Sequence, residues 1–248
     1  MKPKSGPNRR PKLRGVHKKP EQIYSTAEAD ARLYDLFRHH GFEDFPHPER
    51  RKLSEFYSLL MNHQLTDNVT RLVKFRDIGI KHFIDSLMVP RLTNLMFPLL
   101  DVGTGPGFPG IPLKIMFAKE KIILAEGVRR RVDFLKAVRD EMKLKELQVV
   151  GRKIDESFEL PVKGIITRAL EDTSLTLQSV SRCLEVGGQV YLMKGPGVDA
   201  ELKRAVLKWE PYYKLVEDHD YELANTLHKR RLLVFRKEKT PPARQAQP

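Results

Sequence analysis

A run punctuated by glycine and proline, Leu99-Leu100-Asp101-Val102-Gly103-Thr104-Gly105-Pro106-Gly107-Phe108-Pro109-Gly110-Ile111-Pro112, follows an apolar stretch and precedes a helical pattern. Strand, glycine loop and helix in that order constrain the chain to an α/β architecture in which a ligand touches the loop backbone. Two patterns overlap in the run. Gly105, Gly107 and Gly110 form a GxGxxG, with Glu126 placed where a ribose-binding acid stands in dinucleotide folds. Asp101, Gly103, Gly105 and Gly107 form a second pattern, a carboxylate followed by three alternating glycines.

Chemistry separates the two. A diphosphate needs backbone N–H donors and positive potential at the helix N-terminus. Pro106, Pro109 and Pro112 have no N–H, and Asp101 repels phosphate. S-adenosylmethionine carries a sulfonium and an ammonium instead, and a carboxylate at the strand end suits both. The second pattern therefore predicts S-adenosylmethionine, held by Asp101 and the loop glycines Gly103, Gly105 and Gly107. An NAD-dependent oxidoreductase is the alternative that the GxGxxG pattern keeps open.

The 248 residues suffice for one α/β domain with a small addition. No run approaches the roughly 18 apolar residues of a membrane span, and the N-terminus has no apolar segment of a secretory signal. The single cysteine, Cys183, has no internal partner, which suits a reducing, cytoplasmic compartment. The formal charge of +13 is uneven. Residues 1–20 hold eight lysines and arginines and no acid, and residues 237–248 form a second basic tail. Both tails are expected to be disordered. They read either as docking arms for a polyanion such as RNA or as solubilising extensions. A non-enzymatic RNA-binding protein on an enzyme-like scaffold is the second alternative.

Residues 21–95 read as a helical region, with helices over 27–40, from Pro48 through Met61, and over 77–89 with Pro90 at the exit. From 96 to 236 strands alternate with helices. Strands are expected at 97–102, 121–126, 147–151, 163–168, 187–193, 212–222 and 230–236, and helices at 109–118, 128–144, 172–184 and 198–208. This alternation predicts a seven-stranded, doubly wound, Rossmann-like sheet whose last two strands pair antiparallel. The strand-end rule then gathers Asp101, Glu126, Asp155 and Arg168 around one crevice.

Each candidate has a plain reading beside the functional one. Glu126 ends the second strand and suits the ribose hydroxyls, or is an exposed acid. Ile154 and Asp155 follow the third strand and suit adenine, or form an ordinary loop. Arg168 ends the fourth strand, where burial demands a partner; Asp101 or a cofactor carboxylate would serve. His82, Asp85 and Ser86 share a helix face at i, i+3 and i+4, which allows acid–base work or a satisfied core histidine. Lys194 ends the fifth strand on the substrate side. Arg129-Arg130-Arg131 opens a helix beside Glu126 and either binds phosphate or is solvated. Cys183, placed mid-helix, reads as packing rather than as a nucleophile. The histidines show no metal-ligand spacing.

Taken together, these residues resemble the bacterial small-subunit rRNA guanine-N7 methyltransferases, the glucose-inhibited division protein B family. The resemblance rests on Asp101 through Leu113, Arg130-Arg131-Val132 with Phe134-Leu135, Ile166-Thr167-Arg168-Ala169 and Lys194-Gly195. Upstream it includes Asn68-Val69-Thr70, Arg76-Asp77 and His82 through Leu87. The chain departs from the family pattern at Phe108, usually Leu, at Lys81, usually Arg, at Met61, usually Trp, and at His228-Lys229-Arg230-Arg231. The resemblance implies a class I S-adenosylmethionine-dependent methyltransferase fold with an N-terminal helical extension. It implies cofactor contacts at Gly103, Phe108, Ile154, Asp155 and Arg168, with Glu126 at the ribose. His82 and Asp85 fall on the substrate side. The implied reaction is methylation of N7 of a guanine in 16S rRNA, free or in an assembling small ribosomal subunit, by a monomer with no membrane association. N7 has its own lone pair, so no indispensable general base is expected. His82, Arg168 and Lys194 orient the reactants, and Asp101 or Asp85 eases the positive charge of the product base.

Overall fold

The computed structural model describes residues 17–168 and 171–242. Most of the first basic tail, Ala169 of the fourth-strand motif, and residues 243–248 lie outside the described residues.

Three helical stretches open the chain. Helix α1 (Thr26–His39) starts with a reciprocal capping box between Ser25 and Glu28, and it buries Ala29, Leu33, Leu36 and Phe37. Helix α2 (His47–Asp67) has Pro48 in its first turn and ends at Asn68 in the left-handed conformation, φ 47°. Its buried face is the expected set Leu53, Phe56, Tyr57, Leu60 and Met61. The third stretch runs further than the sequence predicts. It comprises α3 (Phe75–Ile78), a π-helical turn (Gly79–Ile84) and α4 (Asp85–Leu92). Pro90 sits inside α4 rather than ending it, because Leu87 and Val89 pack into the core and Thr93 N–H closes onto Val89 O.

Seven strands follow: β1 (Leu99–Val102), β2 (Ile122–Ala125), β3 (Leu147–Val150), β4 (Val162–Arg168), β5 (Leu184–Lys194), β6 (Tyr213–Glu222) and β7 (Lys229–Lys237). They form one sheet in the order β3-β2-β1-β4-β5-β7-β6. β1 to β5 run parallel, while β7 pairs antiparallel with both β5 and β6. β1 and β2 are buried throughout, as parallel strands covered on both faces must be. Helices α5 (Gly110–Met116) and α6 (Arg129–Glu141) cover one face, and α7 (Thr173–Ser179) and α8 (Asp199–Trp209) the other. The N-terminal helices share the core of the first face, where the Phe56 ring meets Phe108 at 5.2 Å and Phe134 at 6.4 Å.

Two elements end elsewhere than the sequence predicts. The helix expected over 172–184 stops at Ser179, because the sheet captures the backbone beyond it: Val162 N–H donates to Cys183 O at 2.9 Å. Cys183 therefore lies in the turn entering β5, buried, and burial pushes its thiol up to about 11. Lys237, expected in the second tail, is instead the buried last residue of β7, and its ammonium donates to Ser181 O and Leu184 O. The strand order reverses between β1 and β4, so the crevice for a ligand opens beyond their carboxyl ends.

Candidate functional site

Two cavities meet at this switch point. One, of about 490 Å3, is lined by Gly103, Glu126, Arg131, Ile154, Arg168 and their neighbours. The other, of about 520 Å3, is lined by Lys81, His82, Gly105, Phe108, Lys194 and Arg230 among others, and again by Gly103 and Arg168. Gly103 and Arg168 therefore stand on the partition between them.

In the first cavity, Glu126 follows β2. One carboxylate oxygen accepts from Val128 N–H at 2.8 Å, and the other faces Arg131 at 3.4 Å. Ile154 adds a buried apolar wall. Asp155 does not line either cavity. Its Oδ1 accepts from the N–H and hydroxyl of Ser157 and from Arg152, which holds its carboxyl below the usual range. Its place is to fix the loop that presents Ile154. The arginine cluster is largely structural as well. Arg130 and Arg131 donate to the carbonyls of Asn68 and Val69, and Arg129 pairs with Asp133.

The glycine loop is built from inside. Asp101 is fully buried and does not line either cavity, contrary to the expectation of an open carboxylate floor. Its Oδ2 accepts from Thr104 Oγ1 at 2.6 Å and from Gly110 N–H at 2.7 Å, pinning both ends of the loop. Burial, only partly offset by these bonds, pushes its carboxyl up to about 6. A side chain at Gly110 would meet Asp101 Oδ2 at 2.7 Å and Leu124 at 2.2 Å, so the close approach demands glycine. Gly107 also faces away from a ligand: a Cβ there would strike Ile111 at 2.4 Å, making it a packing residue under α5.

The loop and its pockets fit S-adenosylmethionine and not a diphosphate. Gly103, Thr104, Gly107, Phe108 and Gly110 all spend their N–H groups on internal acceptors. Gly105, at φ +62°, has open space where a side chain would stand, a cradle that an L-residue would fill. Asp101 Oδ1, buried with no partner among the described residues, lies behind the loop and not in either cavity.

The second cavity is organised around Arg168. Its guanidinium donates to Lys81 O at 2.7 Å, to Asp85 Oδ2 at 3.3 Å and to His82 Nδ1 at 2.8 Å. Its partner is therefore Asp85 and not Asp101, because the π-helical turn and α4 carry His82 and Asp85 over the end of β4. Asp85, only 1 % exposed, also accepts from Tyr221 Oη at 3.1 Å and pairs with Arg230 at 3.5 Å. Two cations already neutralise this carboxylate, so it is not a free anion for a charged product. A guanidinium has only N–H groups, so His82 Nδ1 accepts and the ring proton sits on Nε2. That Nε2 is buried with no partner among the described residues. Burial first, and then Arg168, holds His82 well below its ordinary value, so it is neutral at pH 7. Its ring stacks on Phe108 at 4.1 Å and 16°. Ser86 is not part of the site; its hydroxyl bonds back to His82 O. Lys194 lines the cavity with its ammonium held by Glu171 O and Glu201. Tyr221, Glu201 and the bridging role of Arg230 escape sequence reading. The doubled arginine Arg230-Arg231 was the one local signal, and nothing local marks the other two.

The rRNA small subunit methyltransferase G family matches residues 49–224 of this chain. A ribosomal RNA small subunit methyltransferase G 2 of Bdellovibrio bacteriovorus is 57% identical over 228 residues, covering 92% of this chain and 89% of that protein. A ribosomal RNA small subunit methyltransferase G of Carboxydothermus hydrogenoformans is 31% identical over 225 residues, covering 86% and 93%. Among solved structures, Trm5b of Pyrococcus abyssi superposes with a TM-score of 0.50 at 14% identity, covering 69% of this chain and 52% of that one, a likeness of fold alone. On the strength of the family match and these two relatives, the chain belongs to the rRNA small subunit methyltransferase G family.

Proposed function

We propose that this chain methylates N7 of a guanine in 16S rRNA, acting as a cytoplasmic monomer on the free RNA or on an assembling small subunit. When bound, S-adenosylmethionine supplies a methyl carbon made electrophilic by its sulfonium. Glu126 would hold the ribose hydroxyls, Ile154 the adenine face, the Gly103 and Gly105 backbone the body of the cofactor, and Arg168 its carboxylate. Asp101, Gly107 and Asp155 act behind them, shaping the loops rather than touching the ligand.

One observation carries the reading: among the described residues, the substrate-side cavity holds no idle base. His82 Nδ1 is occupied by Arg168, and Asp85 is saturated by two arginines and a tyrosine. Such a cavity cannot strip a proton from a hydroxyl or an amine. It suits an acceptor that already owns a free lone pair, as guanine N7 does. Catalysis then rests on positioning, which is worth roughly 7–11 kcal/mol in well-oriented systems. Lys81 pairs with Asp77 and Lys194 with Glu201, while Arg168 and Arg230 share the one carboxylate of Asp85, so the cavity keeps a net positive charge toward an RNA strand.

The test is mass-spectrometric mapping of 16S rRNA from strains with and without this gene, with borohydride and aniline cleavage to mark N7-methylguanine. Loss of one N7-methylguanine on deletion is the expected result; persistence of every such site overturns the proposal.

A further inference from the structure

A second basic hollow, of about 780 Å3, opens between α1 and the start of α3. Arg32 and Arg38 reach it from α1, and Arg76 from α3. Among its lining residues Asp35 is the one carboxylate. It lies 3.8 Å from Arg38, with both side chains largely in water, where such a pair neutralises little. Arg32 rests over the Tyr24 ring at 4.1 Å, a contact that holds the guanidinium in place and leaves its charge intact. Arg76 has no ion-pair partner among the described residues. Its field reaches the buried His40, whose imidazole is held below its ordinary value by burial first and by His39 and Arg76 after it. Against the three guanidinium groups stand Asp35 beside Arg38 and Glu28 one turn before Arg32, which leaves the hollow net positive, and an anion is what the arrangement lacks. The planar fork of guanidinium matches phosphate oxygens.

The hollow shares a wall with the catalytic crevice. The segment 72–82 turns Phe75 and Arg76 toward the hollow, and Leu72, Lys81 and His82 toward the crevice. The β6–β7 hairpin ties the two together a second time. Its loop bonds to α1 through Ala224 with His40 and Asn225 with His39, while Arg230 at its base lines the crevice. A strand whose target base enters the crevice therefore has a cationic seat for its flanking backbone within one continuous structural unit.

We propose that the hollow of Arg32, Arg38 and Arg76 binds a phosphodiester segment of the RNA substrate beside the target nucleotide. This rests on the rRNA reading above and adds a second subsite to it. Gripping the backbone there offsets the cost of drawing a guanine out of its stack.

The test uses the full chain carrying Arg38→Gln with Arg76→Gln, both exposed positions outside the crevice. Deproteinised 16S rRNA from a strain lacking the gene is the substrate, and methyl transfer and RNA binding are followed across monovalent salt. The expected result is a KM for RNA raised about ten-fold, kcat kept within about two-fold, and a salt slope shallower by about 1.4, roughly 0.7 for each of two phosphates. Cofactor affinity and Tm stay at wild-type values. Unchanged KM and salt slope in an active double variant overturn the proposal. A wild-type chain that methylates neither deproteinised 16S rRNA nor isolated small subunits overturns the proposed function itself, and that outcome is distinguishable from an active variant with unchanged KM.

Discussion

The two cavities that share Gly103 and Arg168 are built in different ways. The side proposed for the cofactor is assembled from short stretches at strand ends: the loop after β1, Glu126 after β2, Ile154 after β3. Each stretch makes its own geometry, and the residues between them can change without moving it. The substrate side is held by one charged network whose members come from the π-helical turn, α4, β4, β6 and β7, separated by up to 149 residues between Lys81 and Arg230. Damage on the first side should stay local, whereas damage on the second should spread to fold and turnover together.

The strongest break is Arg168→Ala. It removes the donor from Lys81 O, Asp85 and His82 at once and leaves the Asp85 carboxylate to Arg230 and Tyr221 alone. Losing one partner of a buried ion pair costs about 3–5 kcal/mol, and the surviving Arg230 places this case near the low end. Turnover should fall at least about 100-fold, since the groups it orients lose their register. Urea denaturation and methyl incorporation read the two losses, and a variant of wild-type stability would separate Arg168 from the network.

On the cofactor side, Glu126→Gln should leave stability nearly unchanged, because the amide oxygen still accepts from Val128 N–H and Arg131 keeps its bond to Val69 O. Cofactor affinity should drop about 10–100-fold, the loss of charge-assisted hydrogen bonds worth about 1.5–3 kcal/mol. Calorimetric titration with S-adenosylmethionine checks it. A large loss of Tm would mean that Glu126 serves the fold rather than the ribose.

This contrast also explains what was legible in the sequence. The sheet, the buried faces of α1 and α2, and the crevice at the β1–β4 reversal follow from periodicity and the glycine loop, because each depends on neighbours in the chain. Glu126, Ile154, Gly103 and Arg168 line one cavity for the same reason. Asp101 was assigned to the ligand because a carboxylate at a strand end looks open in one dimension. Only packing shows that it faces Gly110 and Thr104 instead. Asp85 as the partner of Arg168, and Tyr221 behind it, depend on how the N-terminal helices lie across the sheet, which no local pattern encodes. The early end of α7 has a similar cause: the sheet competes for the backbone at Cys183 and wins.

A subtler separation lies in pH. Asp101 titrates near 6 in the folded protein, above its unfolded value, so the fold binds that proton more tightly. Its contribution to stability is greatest in acid and is lost as pH rises from about 4 to about 6. His82 is depressed, so the unfolded chain binds that proton more tightly, and stability is lost as pH falls below about 6.5. Each contributes about 1.4 kcal/mol per pH unit within its window, with opposite sign. Where the two windows overlap the slopes oppose, so the wild-type profile should be shallower there than that of either single variant. His82→Gln should make stability rise toward acid relative to wild type, and Asp101→Asn should make it fall more steeply. Denaturation series at fixed salt measure both slopes. Slopes of the same sign in the two variants would mean that one of these groups is not buried as the structure places it.

The smallest effect is expected at the edge of the network. Tyr221→Phe removes one hydroxyl donor from Asp85 Oδ1 and leaves both arginines in place. A hydrogen bond to a charged group is worth about 1.5–3 kcal/mol when nothing replaces it. Here Arg230, 3.5 Å from the same oxygen, can close on it, so about 1 kcal/mol of stability should be lost and turnover should fall less than about ten-fold. Combining Tyr221→Phe with Arg230→Gln removes that compensation. If the substrate side is one network, the double variant should lose more than the two single variants together, with a coupling of about 1 kcal/mol. Strict additivity would instead mean that Asp85 is held by Arg168 alone, and that the substrate side is as local in construction as the cofactor side.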